Sequence, residues 1–199
     1  MVSTLVAIQD ERGIRMQEVA KKRKVYIDGK LFERIRLGDQ DAFRELYEIS
    51  YKPLYAFLLS YTLNREDAQD LLQDTFVQIL KNCHLYREQG NPMAWMMKIA
   101  KNLFLTKCRK HSSDGLNYED MENELGFDDM TNVENRMMLE KLFETLSLDD
   151  RNLIILHDVS GLKHREIAEF LGMPLGTVLA RYHRGIQKLQ KGFGERRPI

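Results

Sequence analysis

The chain has 199 residues, 43% hydrophobic and 30% charged, which suits one large or two small globular domains. It holds no apolar run near the roughly 18 residues that span a bilayer, and no basic stretch with a long apolar core in Met1 to Glu11. Neither a membrane helix nor a secretory signal is therefore expected, and the cytoplasm is the expected location.

The formal net charge of zero hides an uneven distribution. Residues 1–113 carry 19 basic and 14 acidic side chains, net +5; residues 114–150 carry 2 and 12, net −10; residues 151–199 carry 9 and 4, net +5. Two basic units around an acidic segment suit a polyanionic partner that the segment avoids. Charge alone fits a solvated acidic loop between ordinary domains equally well. Cys83 and Cys108 stand far apart, with no CxxC or Cys/His cluster, so neither a disulfide framework nor a zinc site is suggested.

Residues 1–29 contain the basic run Lys21 to Lys24 but no sustained apolar face, and read as a mobile arm or weak helix. Leu31, Phe32 and Ile35 begin a helical stripe that breaks at Gly38-Asp39 and resumes with Ala42, Phe43, Leu46 and Tyr47. Pro53 suits the first turn of a further helix carrying Leu54, Phe57, Leu58 and Tyr61. Asn64, with Asp67 three residues on, approximates a capping box ahead of a helix to about Asn82. After a loop from His84 to Gly90, Asn91-Pro92 repeats the cap and first-turn pattern for a helix through Trp95, Ile99 and Leu103 toward Lys110. Many acids, Ser112-Ser113, Gly115 and Gly126 make 112–132 a linker. Further helices are expected from about Val133 to Leu146, from Asp149 to Val159 ending at Gly161, from Lys163 to Leu171 ending at Gly172, and from Pro174 onward.

No segment of useful length alternates apolar and polar residues as a half-buried strand does. The expected fold is therefore all-α: two small helical domains joined by a flexible acidic linker, the second with a helix-turn-helix. The boundaries are 1–29 for an N-terminal extension, 30–111 for the first domain, 112–132 for the linker and 133–199 for the second domain.

The most informative stretch is KHREIAEFLGMPLGTVLARYHRGIQKL. Ile167, Ala168 and Leu171 form the inner face of a short helix, Gly172 permits a tight turn, and Val178, Tyr182, Ile186 and Leu189 form the inner face of the next. Leu179, Arg181, His183, Arg184 and Lys188 are left outside, and Arg181 and Arg184 have the reach for base edges or phosphates. Lys163, His164 and Arg165, near a helix start, suit phosphate neutralisation. In the first domain Asp67, Asp70 and Asp74 form an acidic stripe on one helix face, which gains nothing from facing DNA and so should face protein.

On these residues the chain resembles the extracytoplasmic-function type of bacterial RNA polymerase sigma factor, over roughly 31–192. EIAEFLGMPLGTVLARYHRG is similar to the family's promoter-reading motif, an EIA helix followed by a Pro-x-Gly-Thr-Val recognition helix. The resemblance implies contacts to the minus-thirty-five element from Thr177, Arg181 and Arg184, with Lys163, Arg165 and Lys188 beside them. The position after Thr-Val, usually basic in the family, is Leu179, and Ala180 follows where a small polar residue is common. EDAQDLLQDTFVQIL is similar to the family's polymerase-binding helix through Asp70, Gln73, Asp74 and Phe76, which implies that these bind the clamp helices of the largest subunit of core RNA polymerase. NPMAWMMKIAKNLFLTKCRK is similar to the family's Trp-x-x-x-Ile-Ala-x-Asn pattern, which implies minus-ten contacts from Asn102 with Lys98, Lys101, Lys107, Arg109 and Lys110. Tyr86, in the loop where the family captures an unstacked base, is expected to stack on it, a contact worth about 1 to 3 kcal/mol per base. Trp95, Met96 and Ile99 are read as core.

The resemblance also implies promoter DNA and an anti-sigma factor as partners, and no catalytic activity. No Gly-rich phosphate loop, GxSxG or HExxH occurs, and His157-Asp158 near His164 lacks metal-ligand spacing, so no cofactor or metal is expected. Two other classes remain open at this point. An autonomous helix-turn-helix regulator would bind an operator unaided, whereas a helical adaptor would bind no DNA.

Overall fold

The computed structural model describes residues 25–87, 90–113 and 146–194, and among these every regular element is helical. The first unit comprises α1 (Lys30–Arg36), α2 (Gln40–Thr62), α3 (Arg65–Asn82), a 3₁₀ turn (Cys83–Leu85) and α4 (Pro92–Ser113). The second comprises α5 (Leu148–Ile154), a π turn (Ile155–Val159), α6 (His164–Leu171) and α7 (Leu175–Gly194). The expected linker lies largely outside the described residues, as does the helix expected before Leu146, while Ser112 and Ser113 still belong to α4.

Local chemistry explains most boundaries. The Asp39 carboxylate accepts from the N–H groups of Asp41 and Ala42, opening α2 directly after Gly38, whose φ of 87° is strained for any side chain but glycine. The bond from Ala42 is the largest reason that the Asp39 carboxyl titrates below its ordinary value, followed by the Arg34 hydrogen bond. Asn64 caps α3 by accepting from Asp67 N–H at 3.0 Å, and Asn91 opens α4 by accepting from Met93 N–H at 2.9 Å. The capping box expected at Asn64 forms only in this half, because the Asp67 carboxylate turns away to pair with Lys107. At Lys163 the reverse half forms, with Glu166 accepting the Lys163 N–H at 2.7 Å.

Two boundaries differ from the sequence pattern. Pro53 begins no helix; α2 runs through it without interruption for 23 residues. An internal proline forfeits one backbone hydrogen bond and crowds the preceding turn, a cost of about 3 kcal/mol. Burial of Leu54, Phe57, Leu58 and Leu59 on the same stretch offsets it, at about 1.5 to 3 kcal/mol each. The helix after Ser147, in turn, widens into the π turn before reaching Gly161. That turn sets His157 against His164, with ring centroids 4.0 Å apart, and places Asp158 to accept from the Tyr182 hydroxyl at 3.0 Å. Burial first, and the Asp158 charge second, push the Tyr182 hydroxyl well above its ordinary pKa, so it stays a donor.

The two units touch through α2 and α4. Phe57 of α2 meets Phe170 of α6 edge-on at 6.0 Å, and the Asn91 amide donates to Glu166 at 3.1 Å. Buried Ser60 of α2 contacts Asn152 of α5 while also meeting the Phe57 carbonyl. A hydroxyl carries one hydrogen, so both contacts are satisfied when the Asn152 amide presents its N–H to Ser60.

Within the second unit the helices cross closely at Gly185, where an added Cβ would lie 3.1 Å from Ile154 Cδ1. Gly185→Leu should therefore push α5 and α7 apart and cost about 1 to 3 kcal/mol, read as a lower thermal midpoint by circular dichroism. Asn64→Ala, which removes the α3 cap without touching the core, should cost about 1 kcal/mol in the same measurement.

Candidate functional site

The described surface carries three polar faces, each set by which side of a helix the core takes. On α3 the core takes Ala68, Leu71, Leu72, Thr75, Phe76 and Ile79. Asp70, Gln73 and Asp74 are left on the exposed side. Asp67, expected in the same stripe, is partly buried and paired with Lys107 of α4, so its charge is spent inside the unit. Phe76 is not presented either: it is 5% exposed and packs under Tyr47 and Phe43, with centroids at 4.7 and 6.2 Å. It shapes the surface from below. The outward face continues instead through Val77 and Leu80, 46% and 42% exposed, beside Tyr47 at 40%. Sequence reasoning missed all three as surface, because apolar residues at helical spacing read as core.

On α4 the core takes Met93, Met96, Met97, Ala100 and Phe104. Met96 is core as expected, and Trp95 and Ile99 pack partly buried against it. Lys98, Asn102, Arg109 and Lys110 lie on the exposed side. From Lys98 to Arg109 the helix rises about 16 Å, the length of roughly five nucleotides of one strand. The other two expected basic contacts are engaged: Lys107 pairs with Asp67, and Lys101 Nζ sits 5.4 Å from the ring centroid of Phe170. Tyr86 is held between Phe32, stacked at 4.3 Å, and Trp95, edge-on at 5.6 Å, while its hydroxyl donates to the Gly90 carbonyl at 2.9 Å. In this arrangement Tyr86, expected from the resemblance to stack on an unstacked base, completes an aromatic cluster with Phe32 and Trp95.

In the second unit Gly172, with φ of 66°, makes the left-handed turn between α6 and α7, and the Pro174 carbonyl accepts from Thr177 and Val178 to start α7. Val178 and Leu189 are wholly buried, and His157, His164 and Tyr182 form a ring cluster that braces α7 against the π turn. Lys163, Arg165, Thr177, Arg184 and Lys188 are exposed. Arg181 is not available in the same way. Its guanidinium bonds Asp149 at 3.0 Å and approaches Asp150 at 3.4 Å, and its side chain is 27% exposed. Both carboxylates come from the first turn of α5, a non-local pairing that spacing along one helix does not reveal.

Among the described residues no group of three His, Cys, Asp or Glu side chains has the geometry to hold a metal ion, and no described helix is long and apolar enough to cross a membrane.

Two family signatures match the chain: Sigma-70 region 2 over residues 46–113 and Sigma-70, region 4 over residues 136–189. The ECF RNA polymerase sigma-E factor of Escherichia coli strain K12 is 30% identical over 171 residues, covering 79% of this chain and 89% of that protein. Its counterpart in Haemophilus influenzae is 29% identical over 177 residues, covering 82% and 93%. Among solved structures, the sigma factor RpoE of Bartonella quintana, in complex with the anti-sigma factor NepR, superposes with a TM-score of 0.58 at 26% identity, covering 78% of this chain and 98% of that one. CnrH, in complex with the cytosolic domain of CnrY, shares the fold with a TM-score of 0.60 at 22% identity, covering 85% and 99%. The helix-turn-helix of α6 and α7 and the α3 and α4 faces are thus parts of one architecture, and the chain belongs to the extracytoplasmic-function type of sigma-70 family RNA polymerase sigma factors.

Proposed function

We propose that this sigma factor divides its work among the three faces. The exposed side of α3, with Asp70, Gln73 and Asp74, binds the clamp helices of the largest polymerase subunit, and Val77, Leu80 and Tyr47 supply the apolar part of that contact. The exposed side of α4, with Lys98, Asn102, Arg109 and Lys110, engages the minus-ten element, and α6 and α7 engage the minus-thirty-five element through Lys163, Arg165, Thr177, Arg184 and Lys188. The working units are 30–111 and 133–199, joined by the acidic linker 112–132, with 1–29 as an extension.

The observation that carries this reading is the opposite chemistry of α3 and α4 on one small unit. An acidic face and a basic face on adjacent helices cannot both address DNA, because phosphate repels the first as strongly as it attracts the second. A ternary assembly with protein on one side and nucleic acid on the other satisfies both. A lone helix-turn-helix regulator has no use for the α3 face, and family membership disfavours that alternative. As a sigma factor the chain catalyses no reaction; polymerase supplies the chemistry.

Three further parts belong to this proposal. The site of action is the cytoplasm, where core polymerase works. An anti-sigma factor is a partner, as it is for the Bartonella quintana relative. Arg181 acts by tethering α7 to α5 through Asp149 and Asp150, and Tyr86 meets an unstacked base only if the Phe32–Tyr86–Trp95 cluster rearranges.

Asp74→Arg should abolish capture by core polymerase at concentrations where the parent chain binds, with an unchanged circular-dichroism spectrum, since Asp74 is exposed and holds nothing in the core. Retained capture would remove α3 from the polymerase interface. For α4, Lys98→Ala should lower the slope of log affinity against log salt by about 1 when holoenzyme binds promoter DNA. An unchanged slope would mean that Lys98 meets no phosphate.

A further inference from the structure

The first two turns of α7 offer an unusual surface. Gly176, Thr177, Leu179 and Ala180 are exposed there, with Leu179 37% exposed, and of these only Thr177 carries a hydrogen-bonding side chain. Arg181, the one cation in this stretch, is drawn aside by Asp149 and Asp150. The next exposed cation is Arg184, whose Nε donates to the Ala180 carbonyl at 3.3 Å. Its guanidinium therefore leans back toward Ala180.

We propose that Leu179 and Ala180 select thymine in the upstream promoter element, by packing on the 5-methyl group in the major groove, while Arg184 reads a neighbouring guanine. The proposal rests on the reading that α7 is the groove-facing helix. The chemistry distinguishes the bases. Thymine alone presents a methyl on its major-groove edge, cytosine presents an amine donor, and adenine and guanine present N7 acceptors with a further polar group. An isobutyl side chain gains by covering the methyl, and leaves any of the other groups buried without a partner. Arg184 can form a two-pronged bond to guanine O6 and N7 with the nitrogens that Ala180 does not hold. The occupant is DNA, not a protein helix, because the apolar pair is small, and exposed Arg184 one turn on and exposed Lys163 and Arg165 on α6 supply cations suited to phosphate.

The test uses holoenzyme assembled from the full chain and core polymerase. Initiation is first selected from templates randomised upstream of a fixed minus-ten region. Each thymine of the selected element is then replaced by deoxyuridine, which removes only the methyl and needs no protein variant. Selected elements should carry thymine beside guanine, and deoxyuridine at one such thymine should weaken holoenzyme binding roughly four-fold, the value of one buried methyl. With Leu179→Ser holoenzyme the same substitution should have no effect, while a guanine-to-adenine change at the neighbouring position should still weaken binding. Elements without thymine, or a deoxyuridine effect that persists in Leu179→Ser, overturn the proposal while leaving the sigma assignment intact. Absence of any selected upstream element would overturn the role of α7 in promoter reading, and this proposal with it.

Discussion

Burial of one face of α2 is the constraint on which the other helices depend. Its 23 residues reach from the Gly38 turn to Leu63, and its inward side chains are wholly enclosed at Leu46, Leu54, Phe57 and Leu58. Helices α1, α3 and α4 pack around that stripe, and the second unit meets its far end through Ser60 and Phe57. Leu63 closes α2 in the left-handed region at φ of 51°, a conformation that costs a side-chain-bearing residue about 1 to 2 kcal/mol. That turn aims the chain into α3, and the orientation of the acidic face follows from it.

Charge is sorted by the same packing. A surface counted as basic or acidic along the chain becomes, in three dimensions, a set of charges used internally and a set left over. Lys107 with Asp67 and Arg181 with Asp149 belong to the first set, and both pairs join separate helices. These pairs lie at the edge of the packed surface, with Lys107, Asp67 and Arg181 each about a quarter exposed, and they decide which way those side chains turn. On α4 Lys101 and Lys107 meet side chains of other helices, while Lys98, Arg109 and Lys110 lie on the exposed side, Arg109 donating to the Leu105 carbonyl of its own helix. On α7 Arg181 is engaged by α5, while Leu179, Ala180 and Arg184 stay exposed.

Much of the architecture was legible from local chemistry. The caps at Asn64 and Asn91, the breaks at Gly38 and Gly172 and the inner faces of α6 and α7 all follow from side chains acting within one turn of their own backbone. The reading was less successful at Pro53, whose local preference for a first turn was outweighed by burial on both sides of it. It also missed the π turn at Ile155–Val159, for which no simple spacing exists. At the candidate site the exposed polar residues of α3 and α4 were identifiable as such. The burial of Phe76, the enclosure of Tyr86 and the tethering of Arg181 were not, since each depends on a partner far along the chain.

The sequence by itself determined the helical class, the placement of the caps and turns, the separation of acidic from basic segments and the motifs that mark a sigma factor. These are properties of periodicity, capping and charge, which act over a few residues. The tertiary structure alone decided which motif residues are enclosed or tethered, because that depends on contacts between helices: Phe76 against Tyr47, Tyr86 against Phe32, Lys101 against Phe170 and Arg181 against Asp149.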